Sequence, residues 1–223
     1  MNLTRYNGPM EKTPALREKR RLDNLEQMIP YLFALGCART WMTLTFAAPG
    51  AGLAVPFDPH VLFDYLYAGF GIAATLLARS LAPLHRHPWA KPGAAGAMLA
   101  ASLCIIAVPA APEAAGALAV GAAVFGSFGF CTVLLMYNEA MVPLSLIRIA
   151  LYSATSRFIA VPLAYLCQGL SGDRFAVVLV LLPLVAVGSL ALAFRALPER
   201  ETTPRAYPKF SFPVKPLAVL CIY

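Results

Sequence analysis

Six long apolar stretches dominate this sequence and restrict what it can fold into. A helix crosses the hydrocarbon core of a bilayer with about 20 apolar residues, and each stretch has or approaches that length. The stretches are continuous runs rich in Ala, Leu, Val and Gly, without the alternation that marks a membrane β-strand. The sequence therefore predicts an all-α, polytopic membrane protein with a bundle of six transmembrane helices. The stretches cover approximately residues 30–50, 60–82, 93–111, 114–136, 144–169 and 174–196.

The composition agrees with a chain that is solvated mostly by lipid. Of the 223 residues, 59% are hydrophobic and 13% are charged, whereas a soluble domain is about 45–50% apolar and about 25% charged. This excludes an ordinary soluble globule, a disordered chain and a nucleic-acid-binding domain. We therefore expect the lipid bilayer to be the main partner of residues 30–196.

The positions of the basic residues predict the orientation of the bundle. Fifteen of the 18 Lys and Arg residues lie in the tail 1–29, in or beside the second and fourth connections, or at and beyond the end of the sixth stretch, and only Arg174 lies beside the other connections. Cytoplasmic loops carry an excess of Lys and Arg. We therefore predict a basic cytoplasmic tail over 1–29 and a cytoplasmic linker over 197–213.

Helix-start signals lie at the opposite, predicted outer ends of the even-numbered stretches. Asp58-Pro59, Pro112-Glu113 and Ser171-Gly172-Asp173 stand there, and an acidic residue suits the positive end of a helix dipole. We interpret these acids as caps, with an external ligand site as the alternative. In the fourth stretch, small residues recur every four positions and predict close helix packing.

The end of the chain is a short apolar segment. Residues 214–223 follow the Pro- and charge-rich linker and would cover only about 15 Å as a helix, half of the hydrocarbon thickness. We expect this segment to be the start of a truncated seventh helix and the chain to be a fragment of a longer product.

Three ionisable residues fall well inside the predicted membrane segments, away from their ends, where a charge is costly and often functional. Arg39 lies near the middle of the first stretch, Asp64 lies in the second and Arg157 lies in the fifth. From the rise per residue, Asp64 and Arg157 lie at similar depths. We predict that they form an ion pair or line one wet cavity. The alternative is that each residue snorkels or bonds neighbouring carbonyl groups.

The fifth stretch also has a polar face, which should point into the bundle. This face either lines a ligand pathway or joins helices through hydrogen bonds. Glu139, at the end of the fourth stretch, is the predicted partner of Arg148 across the short turn. The face consists of Ser145, Arg148, Tyr152, Thr155 and Ser156.

Signatures of catalysis are missing from the sequence. It contains no H-E-x-x-H, no G-x-x-x-x-G-K-[ST] and no G-x-S-x-G. His85-Arg86-His87 lies in a basic loop and is interpreted as a solvated charge cluster near anionic lipid. We therefore predict a protein that is not an enzyme, with no catalytic residue, no cofactor and no metal site.

The pattern of six helices with both ends inside, followed by a charged linker and a new span, resembles the first half of a major facilitator superfamily fold. The transporter hallmark of that superfamily, Gly-x-x-x-Asp-Arg-x-Gly-Arg, lies between its second and third helices. The corresponding residues 79–88 lack the Gly and the Asp. The likeness implies a two-lobed fold whose second half would be a partner of this chain.

A closer resemblance is to bacterial membrane-bound LuxR-type transcriptional regulators. It implies a sensory domain in the bacterial inner membrane, with a cytoplasmic N-terminus, that binds a small ligand between its halves. DNA would be contacted only through a C-terminal helix-turn-helix domain that this chain lacks. The alternatives are half of a secondary transporter, operating around Arg39, Asp64 and Arg157, and a non-functional remnant. The residues that carry the likeness are Tyr137-Asn138-Glu139, Pro143, Arg148, Tyr152-Ser153, Ser156, Leu182-Pro183-Leu184 and Phe212-Pro213-Val214-Lys215-Pro216, and it covers 130–223 best.

Overall fold

The computed structural model describes residues 29–47, 57–142, 146–170 and 172–196, without the side chains of residues 79, 146–148 and 196. In this part of the chain, 92% of the residues are helical and no strand is present. The predicted all-α class is therefore confirmed. The predicted tail 1–29 and the segments 197–213 and 214–223 lie outside the described residues, apart from residue 29.

Six long helices follow one another along the described chain. α1 ends in a turn of π-helix over Thr43–Ala47, and a single helical turn, Ala78–Leu81, follows α2. The helices are α1 (29–42), α2 (Pro59–Leu76), α3 (Ala90–Ala107), α4 (Ala115–Met141), α5 (Leu146–Gln168) and α6 (Gly172–Ala196).

Four helical segments are long and apolar enough to cross a membrane, and they correspond to α3, α4, α5 and α6. A chain with four such helices is a multi-pass membrane protein. The predicted count of six spanning helices is not supported by the described residues, because α1 and α2 are not among the four. The described α-helical part of α1, residues 29–42, is too short to span a membrane, and His60 and Asp64 lower the hydropathy of α2. The four segments are Ala90–Ala110, Pro112–Met141, Ile149–Gln168 and Gly172–Arg195.

The start of α2 has the predicted cap. The Asp58 side chain accepts a hydrogen bond from the backbone N–H of His60 at 2.9 Å, and Pro59 is the first helical residue. This arrangement satisfies a backbone donor that the helix itself leaves free. Glu113 lies in the first turn of the 3-10 segment Pro112–Ala114, and Asp173 lies in the first turn of α6.

α4 is the central helix, and small residues let its neighbours approach closely. A Cβ atom on Gly129 would lie 2.7 Å from Cγ of Met98 and 2.9 Å from the carbonyl oxygen of Ala94 in α3. One on Gly126 would lie 2.8 Å from Cζ of Phe46. The predicted close packing of α4 is therefore confirmed, with backbone approach as its physical basis.

A hydrogen-bonded link joins three helices in the core. Nε1 of Trp41 in α1 donates to Oγ of Ser102 in α3 at 2.8 Å, and Ser102 donates to the carbonyl oxygen of Leu179 in α6 at 2.8 Å. Trp41 and Ser102 are both fully buried. The link therefore satisfies polar groups that would otherwise be unpaired in an apolar interior.

Candidate functional site

Arg39 connects α1 to α5 through hydrogen bonds. Its Nη1 donates to the carbonyl oxygen of Ser153 at 3.2 Å and to Oγ of Ser156 at 2.8 Å. The hydroxyl of the next residue, Thr40, lies 3.2 Å from the carbonyl oxygen of Ala160, one turn further along α5, and 2.9 Å from that of Gly36 in α1. Both donors lie on one side of α1, so the contact between α1 and α5 is polar along more than one turn.

Gly36 allows α1 to approach α5 closely enough for these bonds. A Cβ atom at Gly36 would lie 3.0 Å from Cγ2 of Ile159 and 3.4 Å from the carbonyl oxygen of Ser156. A short hydroxyl side chain such as Ser156 then comes within reach of the Arg39 guanidinium. The polar contact therefore depends on a small residue on the facing helix.

Three buried tyrosines lie beside this contact. The ring centroid of Tyr31 in α1 lies 5.5 Å from that of Tyr152 in α5 and 6.4 Å from that of Tyr137 in α4. The Tyr31 hydroxyl donates to the carbonyl oxygen of Ala140 at 3.5 Å. We call Tyr31, Tyr137 and Tyr152, together with Arg39, Ser153, Ser156 and Arg157, the polar cluster.

The hydroxyl of Tyr137 is buried and makes no hydrogen bond of ordinary geometry in the described part of the chain, although the Ser153 side chain lies close enough to interact with it. The side chain is 1% exposed, and it lies close enough to Arg39 for the two groups to interact electrostatically. A buried polar group without a partner costs about 1–3 kcal/mol. The polar cluster therefore holds a buried hydroxyl with incomplete hydrogen bonding near a positive charge.

Arg157 adds a second positive charge to the polar cluster. It is the ninth of the 20 residues in the span Ile149–Gln168 and therefore lies near the middle of the predicted membrane. Its guanidinium interacts electrostatically with that of Arg39, which it repels. Its side chain is exposed, and no hydrogen bond or ion pair joins it to any residue that the structure describes.

Asp64 lies elsewhere, on an exposed face of α2. Its Oδ2 is 3.8 Å from Nδ1 of His60, one helical turn earlier, and over half of its side-chain surface is exposed. The described residues contain no ion pair between Asp64 and Arg157. The two residues are separated within the plane of the membrane, because α2 packs mainly on α4 whereas α5 packs on the end of α1 and on α6.

Glu139 binds the loop that leads into α3. Its carboxylate accepts the backbone N–H of Leu84 at 2.6 Å and that of His85 at 3.0 Å, and lies 3.0 Å from Nδ1 of His85. It therefore caps the 3-10 turn Leu84–Arg86, which has no side-chain cap of its own. The side chain of Arg148, the predicted partner of Glu139, lies outside the described residues.

The same loop is fixed by ring contacts with α6. The His85 ring stacks on Phe194 with centroids 4.5 Å apart and an angle of 13° between the planes. Nζ of Lys91 lies 5.4 Å from the Phe194 centroid. Sequence reasoning interpreted His85 as a solvated charge, whereas the structure gives it an acidic and an aromatic partner. The signal for this was Glu139 itself, an acid at a helix C-terminus, where the helix dipole disfavours it.

Two further features have no role in the polar cluster. A surface cavity of about 410 Å³ has a mostly apolar lining and shares no residue with the cluster. Its one carboxylate, Asp58, caps α2. No three His, Cys, Asp or Glu side chains within the described ranges are placed to hold a metal ion. The cavity is lined by Phe57, Asp58, Val61, Leu62, Tyr65 and Val120.

The chain was compared with known proteins on three levels. No family model, no curated protein and no solved structure matches it. The function of the chain is therefore inferred from its own residues and from the geometry of the polar cluster.

Proposed function

We propose that this chain is the membrane-embedded sensory domain of a LuxR-like transcriptional regulator, and that the polar cluster binds the small ligand that it senses. In this proposal the six helices are one half of a major facilitator-like fold in the bacterial inner membrane, with the N-terminus in the cytoplasm. The observation that carries it is the buried Tyr137 hydroxyl, which makes no hydrogen bond of ordinary geometry and lies near Ser153 and Arg39.

The position of α5 supports a response to the ligand. Only 22% of the α5 span is buried, against 56% of the span that contains α4. α5 is therefore attached to the bundle mainly through its polar contact with α1 and through α6. A ligand that binds one arrangement of α1 and α5 more tightly than another shifts the population toward it. A shift from 1:99 to 99:1 needs about a 10⁴-fold difference in affinity.

The experiment introduces Tyr137→Phe into the native gene, in the cells that carry it, so that the complete gene product contains the substitution. Because the hydroxyl makes no hydrogen bond of ordinary geometry within the described chain, Tyr137→Phe should leave the abundance of the protein unchanged. Transcript levels are then compared between wild type, Tyr137→Phe and the matched control Tyr165→Phe, whose ring is exposed on the same helix as Arg157. The proposal predicts altered transcripts for Tyr137→Phe and unaltered ones for Tyr165→Phe.

The alternative, half of a secondary transporter, predicts a different result. It is favoured by one observation, the exposed and unpaired Arg157 at mid-span, since such residues mark substrate pathways. In that case Tyr137→Phe changes the accumulation of a solute and leaves transcription unchanged. Unaltered transcripts together with unaltered solute content in Tyr137→Phe would contradict both proposals.

A further inference from the structure

α5 has an exposed apolar face with a positive charge near its centre. Only 22% of the α5 span is buried, because the helix packs mainly on the end of α1 and on α6. The exposed residues of this face recur every three or four positions, as they do on one side of a helix. We call Leu151, Ala154, Arg157, Phe158 and Val161, all of which are exposed, the α5 face.

Lipid is a poor cover for the charge on the α5 face. Arg157 lies about 12 Å of helix from one end of the span Ile149–Gln168 and about 16 Å from the other. A charge at such a depth is costly in hydrocarbon, and it is normally paired or faces protein. No hydrogen bond or ion pair joins Arg157 to a residue that the structure describes. The α5 face therefore fits a partner that carries an acidic group.

α2 has an exposed face of the opposite charge. The Asp64 side chain is 58% exposed, and its Oδ2 lies 3.8 Å from Nδ1 of His60. That distance is too long for a hydrogen bond, so the contact leaves the acceptor positions of the carboxylate free. Gly69 lies on the same side of α2, and a Cβ atom there would meet nothing within 4 Å. We call Val61, Asp64, Tyr65, Ala68, Gly69 and Ile72 the α2 face.

The α2 and α5 faces belong to helices on the same side of the bundle. The π-helical turn Thr43–Ala47 contacts both helices, so α2 and α5 flank the end of α1. By the rise per residue, Asp64 and Arg157 lie within about two helical turns of the same depth, a difference that the long Arg side chain and the tilt of the helices cover. A second copy, related by a two-fold axis along the membrane normal, therefore places the α5 face of each copy against the α2 face of the other.

The charges favour this pairing over the other symmetric ones. Two α5 faces in contact would bring Arg157 against itself, and two α2 faces would bring Asp64 against itself, and like charges repel. A contact between an α2 face and an α5 face pairs opposite charges, and a two-fold dimer forms it twice. The remaining acids of the described chain lie at helix starts or bind the loop before α3: Asp58, Glu113, Asp173 and Glu139.

We propose that the α2 and α5 faces form the interface of a homodimer, in which Arg157 of each copy pairs with Asp64 of the partner subunit. The carboxylate supplies an acceptor for Arg157, and exclusion of water from the interface strengthens the attraction. The Phe158 ring is 78% exposed beside Arg157, and the open side of Gly69 leaves room for a bulky side chain from the facing helix. The homodimer goes beyond the proposed function and does not depend on it.

The test measures association of the full chain in phosphatidylcholine liposomes, by energy transfer between copies fused at residue 1 to cyan or yellow fluorescent protein. Wild type should show transfer that saturates as the protein-to-lipid ratio rises. Asp64→Arg and Arg157→Asp each oppose like charges and should weaken association about tenfold, and the double variant Asp64→Arg/Arg157→Asp should regain it because the opposite charges are restored. Arg174→Asp, which reverses an exposed charge outside both faces, should associate as wild type.

Gly69→Leu tests the same interface without changing a charge. It should fold as wild type, because its Cβ atom meets nothing within 4 Å, but it should weaken association by filling the α2 face. Gly116→Leu, at a glycine of α4 with equally open surroundings and outside both faces, is the matched control and should associate as wild type. Thermal denaturation in detergent verifies that each variant is folded.

Three outcomes would overturn the homodimer. Wild type that stays monomeric at every protein-to-lipid ratio excludes a second copy and leaves lipid or a different protein segment as the cover of Arg157. Association that neither single charge reversal weakens, or a folded double variant that does not regain it, excludes the pairing of Arg157 with Asp64. None of these measurements involves transcripts, so the homodimer and the proposed sensor fail separately.

Discussion

Trp41 and Ser102 form a hydrogen bond of 2.8 Å between α1 and α3, and both residues are fully buried. Ser102 also donates to the carbonyl oxygen of Leu179, so its hydroxyl satisfies groups on two other helices. The pair explains how α1, which carries Arg39, is fixed against the apolar helices. The positions of Arg39 and Thr40 opposite α5 depend on this attachment.

Replacing Ser102 with Ala should destabilise the bundle. The substitution leaves the Trp41 N–H without an acceptor in the interior, at a cost of about 1–2 kcal/mol, within the range for hydrogen bonds between membrane helices. Ser80→Ala is the matched control, because the Ser80 hydroxyl is exposed and bonds only the nearby Leu77 carbonyl. Unfolding in detergent with increasing SDS measures both variants. Equal stability of the two variants would contradict a structural role for the Trp41–Ser102 bond.

Two glycines in α4 should respond in opposite directions to the same substitution. Gly129→Ala places a methyl group within 3.0 Å of Met98 and Ala94, including backbone atoms that cannot rotate away, and should destabilise by about 1–3 kcal/mol. Gly116→Ala meets nothing within 4 Å and should be neutral or stabilise by up to about 1 kcal/mol. Thermal denaturation of each variant in the same detergent gives the comparison. A Gly129→Ala variant as stable as wild type would show that α3 and α4 are not in backbone contact there.

Glu139→Ala should loosen the loop before α3. The substitution removes the acceptor of the Leu84 and His85 N–H groups, which should cost about 1–2 kcal/mol, as the loss of a helix cap does. Hydrogen exchange of these two amides should accelerate, and limited proteolysis should cut the loop earlier. Glu113→Ala, at an exposed acid in another 3-10 turn, should change neither measurement. If loop exchange is the same in both variants, Glu139 does not hold the loop.

The orientation predicted from the basic residues is open to a direct measurement. Reporter tags inserted at residues 55 and 88 should lie in opposite compartments, with residue 88 in the cytoplasm, because cytoplasmic loops carry the excess of Lys and Arg. Alkaline phosphatase and green fluorescent protein fusions give complementary signals at each site. The same compartment for both tags would mean that α2 does not cross the membrane.

The class of the fold could be predicted from the sequence alone. Long apolar runs require helices, since hydrocarbon offers no hydrogen-bond partner for an unpaired backbone. The cap at Asp58 and the close packing at Gly126 and Gly129 also followed from the sequence, because a cap and a small-residue interface are local patterns. The predicted count of six spans went further than the described residues support. The described part of α1 is too short and α2 is too polar, so four helices qualify by length and hydropathy.

The contacts between polar side chains could not be predicted in this way, because they depend on how the helices pack. The rise per residue gives the depth of a side chain in the membrane, but it contains no information on which helices are lateral neighbours. Asp64 and Arg157 therefore had similar predicted depths although their helices pack on different partners. Arg39 contacts Ser156 because Gly36 lets α1 approach α5 closely. Glu139 contacts His85 because a loop distant in sequence folds onto the end of α4. Helix packing, which follows from the shapes of many side chains at once, sets these contacts.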